Sequence, residues 1–100
     1  MSSIKYVHSD KELKDFMKKH NIIIEYVHSS KLKGYVGMNS EAGKKFGLKI
    51  PKNSIWIDQN LRGRERIRTT KHELEEMFLM REKKMCYWDA HTIALRDETR

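Results

Sequence analysis

The spacing of apolar residues changes period several times along the chain. Leu13, Phe16, Met17 and His20 recur at helical spacing. Ser9-Asp10-Lys11-Glu12 reads as a capping box, with Ser at the N-cap and Glu three residues on. Together they predict a short amphipathic helix over residues 10–20, stopped near Asn21. Ile22-Ile23-Ile24-Glu25-Tyr26-Val27 is β-branched and aromatic and predicts a strand. Its unbroken apolar start points to a strand covered on both faces or central in its sheet. Ser29 to Gly34 reads as a polar turn, and Gly34-Tyr35-Val36-Gly37-Met38 as a second strand paired with the first in a hairpin.

Asn39 to Leu48 fits no single period: Ser40-Glu41-Ala42 starts like a helical turn, and Gly43 and Gly47 limit its length. Ile50-Pro51-Lys52-Asn53 is a turn. In Ser54-Ile55-Trp56-Ile57-Asp58, Ile55 and Ile57 alternate with Trp56 and Asp58, the pattern of a half-exposed strand. From about Arg64 to Lys84 the pattern is helical, with Ile67, Leu74, Met77, Phe78 and Met80 as the apolar stripe. Met77, Phe78 and Met80 read as core. Met85 to Tyr87 breaks the pattern, and a last helix runs from about Trp88 to the end, with Asp89 near its start favouring the helix dipole. The order predicts an α+β fold in a single domain over residues 1–100.

Composition bounds what such a domain does. One hundred residues make one small core and no large enclosed chamber. The chain is 38% hydrophobic and 35% charged, with a net charge of +7. A basic surface admits nucleic acid, anionic membrane or acidic protein as partner, and is equally the mark of a solubilising or heat-adapted surface. The single cysteine, Cys86, excludes an internal disulfide and a cysteine-cluster zinc site. No apolar run approaches ~20 residues, and Met1 to His8 lacks a signal-peptide pattern. A soluble, cytoplasmic protein without a membrane span is expected.

Lys71-His72-Glu73-Leu74-Glu75-Glu76 carries the candidate chemistry. His72 and Glu76 are four apart and share a helix face, and Glu73 lies one step round. The metalloprotease motif H-E-x-x-H places two histidines in the same relation. Zinc accepts a carboxylate oxygen at about the distance of an imidazole nitrogen, and a catalytic site needs a third protein ligand. His91 is the candidate: it follows Glu76 by fifteen residues, past a break long enough for the last helix to double back. Two plainer readings compete. His72 and Glu76 also suit a solvent-facing ion pair, and His91 a core histidine. His8, His20 and His28 lack a partner at metal spacing and are expected to be surface or packing residues.

Ser54 to Asp58, Leu61, a basic stretch and Thr70-Lys71-His72-Glu73-Leu74-Glu75-Glu76 resemble the strand and active-site helix of gluzincin-type zinc metallopeptidases. With the chain length and the later His91, the resemblance is closer to the minigluzincins, minimal metallopeptidase zymogens similar to the catalytic domains of integral-membrane metallopeptidases. Its specific part lies within about residues 54–95. It implies a zincin-like fold: a small twisted β-sheet packed on an active-site helix, with an N-terminal helix and a C-terminal helix that bears a ligand. It further implies a zinc ion (Zn2+) held by His72, Glu76 and His91, with Glu73 as general base and acid in peptide-bond hydrolysis. Most gluzincins have His as second and Glu as third ligand, so this chain reverses the usual types. Strand 54–58, as a sheet edge, would hold a peptide or protein substrate through Ile55, Trp56 and Ile57. Tyr87 or Arg96 would supply an oxyanion donor. Latency is expected from the C-terminal segment, where Asp97, Glu98 and the terminal carboxylate are oxygen donors for the open zinc position. An exchanged final helix would make this a homodimer.

Two other functions fit parts of the sequence. Arg62, Arg64, Arg66, Arg68 and Lys71 against Glu65 give a local +4 at a helix entrance, where phosphates bind well. No aromatic RNA-binding motif accompanies them, and the helix carries three glutamates, so nucleic acid is disfavoured. A zinc-binding scaffold without hydrolysis is the other alternative.

Overall fold

The computed structural model describes residues 8–98. Helix α1 (Asp10–His20) starts where the capping box predicts: the Glu12 N–H donates to Ser9 Oγ at 3.2 Å, and the Ser9 N–H donates to Glu12 Oε2 at 3.1 Å. It ends at Asn21, which adopts the left-handed conformation with φ 51°. Strand β1 (Ile23–Val27), a 3-10 turn (Ser29–Leu32) and the short β2 (Gly37–Asn39) follow. After the one-turn helix α2 (Ser40–Gly43) come β3 (Ser54–Asp58), α3 (Gly63–Glu82) and α4 (Tyr87–Glu98).

The three strands form a mixed sheet in the order β1-β3-β2. β1 runs parallel to β3, with Ile24 beside Ile55, and β2 runs antiparallel, with Met38 opposite Trp56. The expected β1–β2 hairpin is therefore absent, and β1 is an edge rather than a central strand. The physical reason is burial. Ile55 and Ile57 are fully enclosed, whereas Ile23 and Tyr26 are 56% and 46% exposed. Of β1 and β3, the strand whose isoleucines are enclosed takes the centre.

Two apolar clusters cover the sheet. On the first, Leu13 and Phe16 of α1 and Met77 and Leu79 of α3 close over Ile55 and Ile57. On the second, Leu32, Met38, Ala42 and Leu48 gather with Trp56 and Tyr87 packed against them. Helix α3 lies between α1, the sheet and α4, so His72 through Leu79 are all buried. The expected stripe on α3 gives way to burial on every side over two turns, while Ile67, read as part of that stripe, is 70% exposed. The turn after α3 closes with the Met85 N–H donating to Leu79 O at 3.1 Å. α4 then doubles back along α3: His91 meets Glu76, and Glu98 meets His72. His91 thus reaches α3 within one chain. No described helix is long and apolar enough to cross a membrane.

Gly37 sets the distance between β2 and α3. A Cβ there would lie 2.8 Å from Thr69 Cγ2 and 3.3 Å from Glu73 Cγ. Gly37→Ala is expected to lower unfolding free energy by about 1–3 kcal/mol in urea titration. Thr69→Ser, which removes the clashing methyl, should recover part of it. An unchanged midpoint in Gly37→Ala would contradict this packing.

Candidate metal centre

One turn of α3 buries four ionisable side chains: His72 and Glu73 are 7% exposed, Glu75 and Glu76 1%. This overturns the solvent-facing reading of the His72–Glu76 pair. Glu76 Oε2 lies 2.6 Å from His72 Nε2 and 2.5 Å from His91 Nδ1. The two histidine nitrogens are 3.3 Å apart. Tyr87 stacks on His91 with ring centroids 5.2 Å apart and places its Oη 3.2 Å from His91 Nδ1.

Three ligand atoms, one from each of His72, Glu76 and His91, lie within 4.8 Å of one another. Around tetrahedral zinc with bonds of ~2.0–2.1 Å, ligand atoms sit about 3.3 Å apart. The two imidazole nitrogens already have that separation, and two imidazoles with a carboxylate are a zinc donor set. Glu76 Oε2 sits closer, at hydrogen-bond distance from both imidazoles, as suits a carboxylate with no ion between it and the rings. Behind His72, its Nδ1 is 3.0 Å from Glu98 Oε1. The pair is an ion-pair contact and not a hydrogen bond, so Glu98 lies where a carboxylate behind a ligating histidine would stand.

Glu73 stands apart from these three. Its Oε1 accepts from Asn39 Nδ2 at 3.1 Å, and the same nitrogen reaches Glu76 Oε1 at 3.4 Å. Asn39 is itself fixed, because its Oδ1 accepts the Ala42 N–H at 2.9 Å as the cap of α2. Burial and the neighbouring Glu76 charge raise the Glu73 carboxyl to about 8, against the pull of His72 and Asn39. Burial opposes charge on His72, but Glu76, Glu73 and Glu98 outweigh it and raise the imidazole to about 9. Burial, then Glu76 and Glu73, push the Tyr87 phenol up to about 12.

Several expected site residues lie elsewhere. β3 is paired on both edges, and Ile55 and Ile57 point into the core, so these residues are not an edge for substrate. Trp56, on the opposite face, packs in the second cluster under Lys31 Nζ, 5.8 Å from its ring. Arg96 Nε donates to Asp97 Oδ1 at 3.0 Å, leaving Tyr87 as the candidate donor in contact with the centre. Of the two side-chain carboxylates expected to serve latency, Glu98 lies against His72 Nδ1, and Asp97 lies with Glu75 and His8. Thr99, Arg100 and the terminal carboxylate lie outside the described residues. His20 packs against Phe16 and meets Glu82 at 2.8 Å, and His28 is an exposed residue that accepts the Ser30 N–H at 3.1 Å, in line with the expected packing and surface roles. His8 packs against Phe78, yet its Nε2 lies 3.0 Å from Glu75 Oε2, a partner that spacing in sequence did not indicate.

The basic approach to α3 serves the fold in part. Arg66 donates to the carbonyls of Leu61 and Gln59 and lies 4.1 Å from the Tyr26 ring centre, and Arg62 donates to Gln59 O. That removes two arginines from the row read as a phosphate site. Asn39 was missed in sequence because only the sheet register brings it to α3. Comparison with family models, with curated proteins and with solved structures finds no match.

His72, Glu73 and Glu75, the last raised to about 8 by burial and Asp97, all hold protons more tightly in the folded chain than in the unfolded one. The carboxyl contributions are lost between about pH 4.5 and 8, and that of His72 between about 6.5 and 9. The metal-free protein should therefore melt at least ~5 °C lower at pH 9 than at pH 6 in chelator. Glu73→Gln should flatten the dependence. A melting temperature that holds or rises toward pH 9 would contradict the assignment.

Proposed function

We propose that the chain is a zinc-dependent metallopeptidase of minimal, zincin-like build, in a latent form. The observation that carries the reading is the buried His72–Glu76–His91 group with Glu73 beside it, held by Asn39 instead of joining the ligand atoms. The resemblance to minigluzincins gains support from the small sheet against α3 and from α4 returning His91 to Glu76. Bound by these three residues, zinc would polarise a scissile carbonyl and acidify a water. Glu73, with a carboxyl near neutrality, takes a proton from the attacking water and delivers it to the leaving amine. Asn39 aims that carboxylate. Tyr87, which keeps its phenolic proton at neutral pH, donates to the developing oxyanion.

The strand edge beside α3 belongs to β2, and there an extended peptide or protein substrate would add a strand. Gly37, Met38 and Asn39 are buried, so this edge must be uncovered before a peptide docks. That requirement supports latency. A zinc-binding scaffold without hydrolysis would use the same ligands, and Glu73 separates the two readings.

His72→Ala and His91→Ala should each lose one equivalent of zinc by elemental analysis. Glu73→Gln should keep that zinc and lose at least ~100-fold in peptide hydrolysis. Retention of full zinc content in both histidine variants would refute the centre, and undiminished hydrolysis by Glu73→Gln would refute the general base.

Glu98→Gln tests the support behind His72. It should weaken zinc binding about 10-fold or more in competition with a chelating dye, with the fold unchanged by circular dichroism. Unchanged affinity would mean that Glu98 does not orient the ligand.

A further inference from the structure

We infer that His8, Glu75 and Asp97 form a second site for a divalent transition-metal ion, separate from the His72–Glu76–His91 centre. Three parts of the chain converge there: the residue two before α1, the middle of α3 and the last turn of α4. One ligand atom from each lies within 4.8 Å of the others. The side chains of His8 and Glu75 are 4% and 2% exposed, and that of Asp97 is 14% exposed.

Glu75 Oε2 is the informative atom. It is buried and makes no hydrogen bond. His8 Nε2 is 3.0 Å away as an ion-pair contact, and the Glu75 carboxyl also meets Asp97. A buried carboxylate oxygen without a hydrogen bond is unfavourable by itself. A buried oxygen without a hydrogen bond, within 4.8 Å of an imidazole nitrogen and a second carboxylate oxygen, is placed to share an ion with them. Asp97 brings a second negative charge to the same spot, and Arg96 Nε fixes its orientation through Oδ1 at 3.0 Å.

The site has an entrance. A hollow of about 320 Å³ is lined by Arg68, Lys71, Glu75, Asp97 and Glu98, and it also reaches His72 of the first centre. One imidazole and two carboxylates suit zinc or manganese better than calcium, which takes an all-oxygen shell. The ion would tie the entry to α1 and the end of α4 to α3, so its binding energy would be folding energy. The inference stands independently of the peptidase reading.

Zinc titration of chelator-stripped protein, read by calorimetry and native mass spectrometry, tests it. Wild type should bind two equivalents, and His8→Ala and Asp97→Asn one each. His72→Ala should also bind one, and that remaining ion should raise its melting temperature. A tenfold excess of calcium should displace neither ion. If His8→Ala fails to fold, Asp97→Asn decides, because its side chain keeps shape and size. Stoichiometry left at two in the folded variants would overturn the second site. A wild-type stoichiometry of one, lost in His72→Ala, would overturn it as well and leave the first centre standing, with a proton shared by Glu75 and Asp97 in place of the ion. A single equivalent lost in His8→Ala but kept in His72→Ala would uphold the second site and refute the first.

Discussion

Four ionisable side chains on one buried turn of α3 are the constraint to which the surrounding elements answer. Burying a charge is unfavourable unless it is paired or neutralised. His72 and His91 meet Glu76, Asn39 meets Glu73, Glu98 meets His72, and His8 and Asp97 meet Glu75. Besides α3 itself, these partners come from the entry to α1, from β2 and from α4, so the pairing of α3 and the folding of the chain are one problem. α4 is as important for the carboxylate and imidazole it returns as for the apolar surface it covers with Ala90, Ile93 and Ala94.

The same constraint underlies the proposed chemistry. Low exposure and like charge raise the Glu73 carboxyl toward neutrality, where a group both accepts and donates protons efficiently. Asn39 limits that rise and orients the carboxylate, while its own oxygen is committed to capping α2. Gly37 lets β2 approach closely enough for Asn39 to reach α3. A strand three residues long thereby acts as the link between sheet and centre.

Local signals were legible in the sequence and non-local ones were not. The Ser9–Glu12 box and Asn21 mark both ends of α1, and the four-residue spacing of His72 and Glu76 puts them on one face of α3. His91 followed from the chain break near Met85. Strand order did not follow: β1 and β3 pair far apart in sequence, Ile23 with Ser54, and no local pattern favours that pairing over a hairpin. Asn39 and His8 were missed for the same reason, since each gains its role from a neighbour far along the chain. The stripe on α3 was misread because polar residues that normally face solvent are enclosed here. Periodicity detects an apolar face, and a helix buried with its charges has none.

Diffraction at the zinc absorption edge, from crystals of the protein loaded with one equivalent of zinc, tests the central claim most directly. The account predicts an anomalous peak about 2.0–2.2 Å from a nitrogen of His72, a nitrogen of His91 and an oxygen of Glu76, with Glu73 outside bonding distance. A peak bonded to Glu73, or no peak within reach of His72, Glu76 and His91 while zinc is bound elsewhere, would contradict it.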